Sequence, residues 1–177
     1  MTQGNQNTAA DSQGGGAGKA ASGLAGKYLT FKLHDEEYGL EIRKVREIIG
    51  GLLPITSIPK APDFARGVIN LREKIIPIID LRKKFDMEAA DESVQRCIIV
   101  VDVSLNSNIM EIGILVDSVS EVLDIRGEDI EDAPSFGTNV DTAFILGMAK
   151  AKGAVKILLN IQKVLSQDEL ESIAHAA

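Results

Sequence analysis

A repeat within the chain limits what it can fold into more than any other feature of the sequence. The run from Tyr38-Gly39-Leu40-Glu41-Ile42 through Val45 and Glu47 to Ile49 aligns with Ile112-Gly113-Ile114-Leu115-Val116 through Val119 and Glu121 to Leu123, at an offset of 74 residues. Ala61-Pro62-Asp63-Phe64 returns as Ala133-Pro134-Ser135-Phe136 at an offset of 72, and Gly67 through Phe85 corresponds to Gly147 through Leu165 at 80. Within the last pair of segments Ile75, Ile78, Ile79 and Leu81 match Val155, Leu158, Leu159 and Ile161, while Asp80 matches Asn160. Two copies are too few for a solenoid. Each copy holds about five short apolar runs, and a sheet that small escapes its open edges by closing into a barrel. The expectation is an all-β fold of two similar five-stranded barrels side by side, with a groove between them. Units of roughly 70 residues are marginal alone, so they should share a continuous core.

Local patterning supports strands. Leu29, Phe31 and Leu33 alternate with Thr30 and Lys32, the period of a half-buried strand, and Tyr38 to Ile42 resumes it after a polar turn. Val45 to Ile49 is too short for periodicity to choose between strand and helical turn. Pro54 to Pro62 holds three prolines and reads as an extended connection. Val68–Leu71 with Ile75–Ile79 reads as a hairpin, and Leu81–Phe85 as a short helical turn. Strands follow at 97–103, 109–116, 119–125, 143–150 and 155–159. Ser166 with Glu169 three residues on is a capping box that opens a C-terminal helix and tail over 166–177. Residues 1–26 carry seven of the 16 glycines and almost no large apolar side chains, and read as a disordered tail. Its Gly14-Gly15-Gly16-Ala17-Gly18-Lys19 lacks phosphate-loop spacing and follows no strand.

Composition narrows the chemistry. The 177 residues hold 19 Lys and Arg against 26 Asp and Glu, a formal charge of −7, which argues against a phosphate-binding surface and hence against nucleic acid. Arg82-Lys83-Lys84 is too short a basic run to reverse that. No apolar run spans a bilayer, and the N-terminus lacks a signal peptide's basic start and apolar stretch, so a cytoplasmic protein is expected. The two histidines, His34 and His175, stand in a polar turn and near the chain end, without the context of a catalytic triad. The single cysteine, Cys97, opens an aliphatic run and reads as a small apolar residue; it excludes an internal disulfide or a multi-Cys zinc site. Asp35-Glu36-Glu37 and Glu128 to Asp132 lack calcium-loop spacing and read as solvated turn charges. No catalytic set, cofactor or metal is expected, and an interaction surface is what remains. A small β-barrel enzyme is the alternative, and it needs a titratable pair in the groove.

The residues quoted so far resemble the chemotaxis coupling protein CheW family. The matching pattern is Phe31, Tyr38-Gly39-Leu40-Glu41-Ile42, Val45, Glu47-Ile48, Pro59, Pro62, Phe64, Gly67-Val68, Asn70-Leu71-Arg72, and Pro77 followed by Asp80-Leu81-Arg82. It continues through Gly113-Ile114-Leu115-Val116-Asp117 to Glu121-Val122, so that the resemblance covers residues 27 to about 170. It implies two tandem SH3-like five-stranded β-barrels with short helical turns and a C-terminal helix. The barrels fall at about 27–92 and 93–165, with exchange of strands between them left open. It also implies a non-catalytic adaptor joining the cytoplasmic tips of methyl-accepting chemotaxis receptors to the regulatory domain of the histidine kinase CheA, recruited to membrane arrays without inserting in the membrane. Val45, Glu47, Ile48, Arg72 and Cys97 match the family's receptor-facing groove. Gly39, Pro62, Gly67, Asn70, Pro77, Asp80 and Gly113 belong to the turn and structural motifs. Glu73 stands where the family usually has Gly after Asn-Leu-Arg. It is expected to enforce a different turn and to aim Arg72 differently.

Overall fold

The computed structural model describes residues 23–51, 53–91, 95–133 and 143–176. The first copy of the repeat supplies β1 (Gly26–Leu33), β2 (Glu36–Glu41), β3 (Val45–Gly50), β4 (Ala65–Leu71), β5 (Lys74–Asp80) and the short helix α1 (Leu81–Lys84). The second supplies β6 (Cys97–Leu105), β7 (Asn108–Val116), β8 (Ser118–Ile125), the two-residue β9 (Ile130–Glu131), β10 (Ile145–Ala151), β11 (Ala154–Leu159) and α2 (Ile161–Val164). A C-terminal helix, α3 (Gln167–Ala176), follows. The ambiguous Val45–Ile49 is therefore strand, entered through a 3-10 turn at Ile42–Lys44. Pro134 to Phe136 of the repeat, and residues 1–22 of the Gly-rich stretch, lie outside the described residues.

The two sheets do not follow the two halves of the chain. One sheet runs β3-β6-β7-β5-β4 and the other β8-β1-β2-β11-β10-β9. Each copy thus gives its first hairpin to the other copy's sheet. The hairpin β1–β2 lies between β8 and β11, and β6–β7 lies between β3 and β5. The seams made by this exchange are parallel, with Ile78 opposite Gly113 and Leu158 opposite Gly39. These are equivalent positions of the repeat, and they show why both glycines recur. A Cβ on Gly113 would stand 2.5 Å from Ile78 Cδ1, and one on Gly39 would stand 2.9 Å from Leu158 Cδ2. Pro77 occupies the rung just before the parallel pairing starts, so its missing N–H does not interrupt that seam.

Three apolar clusters result. The largest lies between the sheets and joins Leu29, Phe31, Leu40, Ile79, Ile99, Val101, Ile114 and Leu159 to Leu170 and Ile173 of α3. Ile69, Ile76, Ile78, Ile98, Val100 and Leu115 fill one curled sheet, and Tyr28, Ile125, Ile130, Ala149 and Leu158 fill the other. Tyr28 through Phe31 are all buried, Thr30 included, because β1 is an inner strand with a core on each face. The hydroxyl of Thr30 donates to the Glu121 carbonyl at 2.8 Å and accepts from the Glu121 N–H at 3.2 Å, satisfying a bulge in the ladder with β8. Four aromatic rings, Phe31, Tyr38, Phe85 and Phe144, stack in sequence at centroid spacings of 5.7, 6.1 and 5.0 Å.

Short-range signals place the ends of elements. Asp80 and Asn160 cap α1 and α2 by accepting from the amides of Arg82 and Gln162. Ser166 and Glu169 exchange the two bonds of a capping box at 3.1 and 2.9 Å. Leu24 packs into the second sheet's core and its carbonyl accepts from the Tyr28 hydroxyl at 2.6 Å. Residues 23–26 thus belong to the fold and not to the tail, because Leu24 covers an apolar end that Tyr28 alone leaves open. Two members of the acidic turns are also more than solvated charges. Glu37 pairs with the buried Lys156, and Glu131 lies in β9 against β10, where it pairs with Lys150 at 2.6 Å.

Polar groups tie the exchanged hairpin to its host. Asp117, at the corner between β7 and β8, accepts from Arg82 Nε at 2.7 Å and from the His34 amide at 2.8 Å, while Arg96 grips Asp80 with bonds of 3.0 and 3.1 Å. Burial opposes the Asp117 charge, but the Arg82 hydrogen bonds, the His34 amide and the charges of Arg82 and Arg96 outweigh it and hold the carboxyl below the usual range. A carboxyl depressed in the folded state stabilises above its unfolded pKa, and that stabilisation is lost as pH falls through the folded value. Asp117→Asn is expected to cost about 2 kcal/mol at pH 7. The gap to wild type should close below about pH 4, as measured by urea unfolding across pH. Space is equally tight at Gly67, where φ is +137° and a Cβ would meet the Thr56 carbonyl oxygen at 2.0 Å. Gly67→Ala should therefore lower the urea-derived stability by about 3 kcal/mol.

Candidate functional site

β3 is an edge strand, so its side chains decide what one rim of the molecule presents. Its register against β6 shifts between Val45 and Glu47, with Arg46 as the extra residue. Arg46 turns outward and its Nε donates to Asp102 at 2.7 Å. The bulge separates neighbours that simple alternation would put together. Val45 and Ile48 stand opposite Val101 and Ile99, on the face of the core between the sheets, whereas Glu47 and Ile49 stand opposite Val100 and Ile98, over the core of the curled sheet.

The five groove residues therefore form two adjoining groups. Val45 and Cys97 are half-buried against the shared core, and Ile48 beside them is 45% exposed. Together they make an aliphatic lip where the space between the sheets opens to solvent. Cys97 sits at the start of β6 opposite Gly50, two rungs along from the Ile48–Ile99 rung and on the same face. Around the edge of the sheet, Arg72 Nη2 donates to Glu47 Oε1 at 2.8 Å. That bond joins the edge strand β3 to the tip of the β4–β5 hairpin at the opposite edge, closing the curl where no backbone ladder does. The second copy repeats the device, with Lys152 Nζ 2.7 and 2.8 Å from the carboxylate oxygens of Glu121.

The remaining motif residues serve the frame. Gly39 and Gly113 lie on the parallel seams and Gly67 under Thr56. Pro62 accepts from the Ala65 amide at 2.9 Å at the entry to β4. Asn70 is exposed on β4 opposite Ile75, Pro77 is buried in β5, and Asp80 caps α1 and holds Arg96. Sequence reasoning missed Arg46, Asp102, Lys74 and Glu111, which form a charged border beside Glu47 and Arg72 through pairs at 2.7 and 3.4 Å. Two carboxylates, Asp102 and Glu111, face each other across β6 and β7, and that pairing depends on a register invisible in the linear sequence. Among the described residues no three His, Cys, Asp or Glu side chains cluster as metal ligands, and no helix is long and apolar enough to cross a membrane.

Paired small sheets with an aliphatic lip and a paired-charge border define a protein-docking module. The chain belongs to the CheW-like family: the family model for the CheW-like domain matches residues 27–169. It is 39% identical to the chemotaxis protein CheW of Klebsiella aerogenes, over 85% of this chain and 88% of that one. It is 33% identical to chemotaxis protein CheW of Rhizobium meliloti, over 81% and 90%. The scaffolding protein CheW of Thermoanaerobacter tengcongensis, a solved structure, superposes with a TM-score of 0.71 at 36% identity, covering 82% of this chain and 97% of the other. The protein is thus a member of a chemotaxis scaffolding family, with the all-β, SH3-like architecture of that family.

The β4–β5 turn corrects one expectation. Arg72 and Glu73 both have positive φ, +51° and +67°, and they join Leu71 to Lys74 by a two-residue turn. Glu73 therefore takes the left-handed conformation that Gly would supply, and it does not impose another turn. The equivalent turn in the second copy is Lys152-Gly153, with glycine in the same place. Glu73→Gly should raise stability by about 1 kcal/mol by relieving this strain. The check is the urea midpoint of the variant; a midpoint at or below wild type would show that Glu73 is not strained.

Proposed function

We propose that the chain is a non-catalytic adaptor that couples the cytoplasmic tips of methyl-accepting chemotaxis receptors to the regulatory domain of the histidine kinase CheA. It acts in the cytoplasm and is recruited to receptor arrays at the membrane. The observation that carries this reading is the lip of Val45, Ile48 and Cys97 set beside the Glu47–Arg72 pair. An aliphatic strip with a charged border suits the apolar face of a helix, and Arg72 offers a guanidinium to a carboxylate on that helix. Its guanidinium is mostly solvent-exposed while held in place by Glu47, so it can exchange or share its partner without unfolding the sheet. Family membership and the relatives' chemotaxis and scaffolding names support the same reading.

The test is binding of purified chain to a receptor cytoplasmic fragment and, separately, to the CheA regulatory domain. Arg72→Ala should weaken receptor binding about tenfold, the worth of one charge-assisted contact. An exposed pair is worth at most about 1 kcal/mol to the fold, so the melting temperature should change little. Unchanged receptor affinity in that variant would overturn the site, and failure of the wild-type chain to bind either partner would overturn the function.

A further inference from the structure

The internal repeat provides a control for spotting what one copy has added. In the first copy the hairpin β1–β2 ends at the rung Leu33–Glu36. The equivalent rung of the second copy, Val103–Met110, is followed by two more, Ser104–Ile109 and Leu105–Asn108, before the chain turns. The extension is braced from below: the Ser104 amide donates to Gln162 Oε1 at 2.6 Å, Gln162 Nε2 donates to the Ser104 carbonyl at 2.9 Å, and Asn106 Nδ2 donates to Glu171 of α3 at 3.0 Å. It holds Ile109 at 70% exposure near Ile75, on the β4–β5 hairpin, at 62%. Between them opens a groove of about 730 Å³ whose apolar wall is Ile75, Pro77, Leu105, Ile109 and Met110. Exposing two isoleucines on braced hairpins has no packing benefit for this chain by itself.

The groove is continuous with the candidate docking site. Arg46, Lys74, Ile76 and Glu111 line both it and the cleft that holds Glu47 and Arg72. We infer that the β6–β7 extension lengthens the docking surface, so that the Ile75–Ile109 groove receives the next apolar residues of the same receptor helix that meets Arg72. This rests on the proposed coupling function and names the partner's chemistry more closely: an amphipathic helix whose apolar stripe runs past its contact with Arg72. The helix also carries a carboxylate for Lys74, which is 69% exposed and held by Glu111 only at 3.4 Å.

The experiment measures binding of the full chain to a receptor cytoplasmic fragment and to the CheA regulatory domain, for wild type, Arg72→Ala, Ile109→Asp and Ile109→Ala. Ile109→Asp is expected to weaken receptor binding at least tenfold and Ile109→Ala a few-fold, with kinase binding and melting temperature unchanged because the side chain is exposed. Loss of receptor affinity in Arg72→Ala but not in Ile109→Asp overturns the extension and leaves the coupling function standing. Loss of kinase binding alone in Ile109→Asp overturns the choice of occupant. No binding of wild type to the receptor fragment overturns the coupling function and the extension with it.

Discussion

The parallel seams on which Gly39 meets Leu158 and Gly113 meets Ile78 hold the rest of the structure in place. At each seam one copy's first hairpin docks against the other copy's last long strand, and each approach leaves no room for a Cβ. Because the hairpins are exchanged, neither half of the chain completes a sheet alone. The faces that the exchange brings together, from Leu29 and Phe31 to Ile99 and Val101, become the largest apolar cluster. Two units too small to be stable by themselves gain their stability jointly. The lip of Val45, Ile48 and Cys97, the proposed docking site, is then the place where that shared core reaches solvent.

Charges do the work that backbone ladders leave undone. Each sheet ends in unpaired edges, and in each an ion pair at the repeat-equivalent position spans from the edge strand to the hairpin tip: Glu47 with Arg72, Glu121 with Lys152. Exposed pairs of this kind contribute little to stability. Their value here is geometric, since they fix where a cation stands at the rim. Asp117 is different in kind, being mostly buried between Arg82, Arg96 and the His34 amide, and it locks the exchanged hairpin in place.

Much of this was legible in the sequence where the signal is short-range. The capping box at Ser166 and Glu169, the N-caps at Asp80 and Asn160, and the strands around Leu29, Cys97 and Val155 follow from local chemistry. The grouping of Val45, Ile48 and Cys97 at one groove is what the family resemblance implies, and no local pattern in the chain points to it. The Arg46 bulge was not legible, because an extra residue in a strand leaves no mark in hydrophobic alternation, yet it decides that Glu47 faces away from Val45 and that Val45 shares a face with Ile48. The burial of Thr30 is hidden for a similar reason: alternation marks a half-buried strand there and cannot show that the strand is covered on both sides. The left-handed Glu73 was missed because a two-residue turn fixes φ from its flanking rungs and overrides the residue's own preference.

By itself the sequence determined that the protein is a doubled all-β unit, since a repeat of glycines and aliphatics at matched spacing admits few other folds. It also carried the residue pattern, from Tyr38-Gly39-Leu40 to Asp80-Leu81-Arg82, that places the chain in its family. Only the tertiary structure decided which strands belong to which sheet, and so which faces became core and which became rim. Strand pairing is a long-range choice, made by register and by the space above Gly39 and Gly113, and residues far apart in the chain, such as Glu47 and Arg72, become neighbours only once it is made.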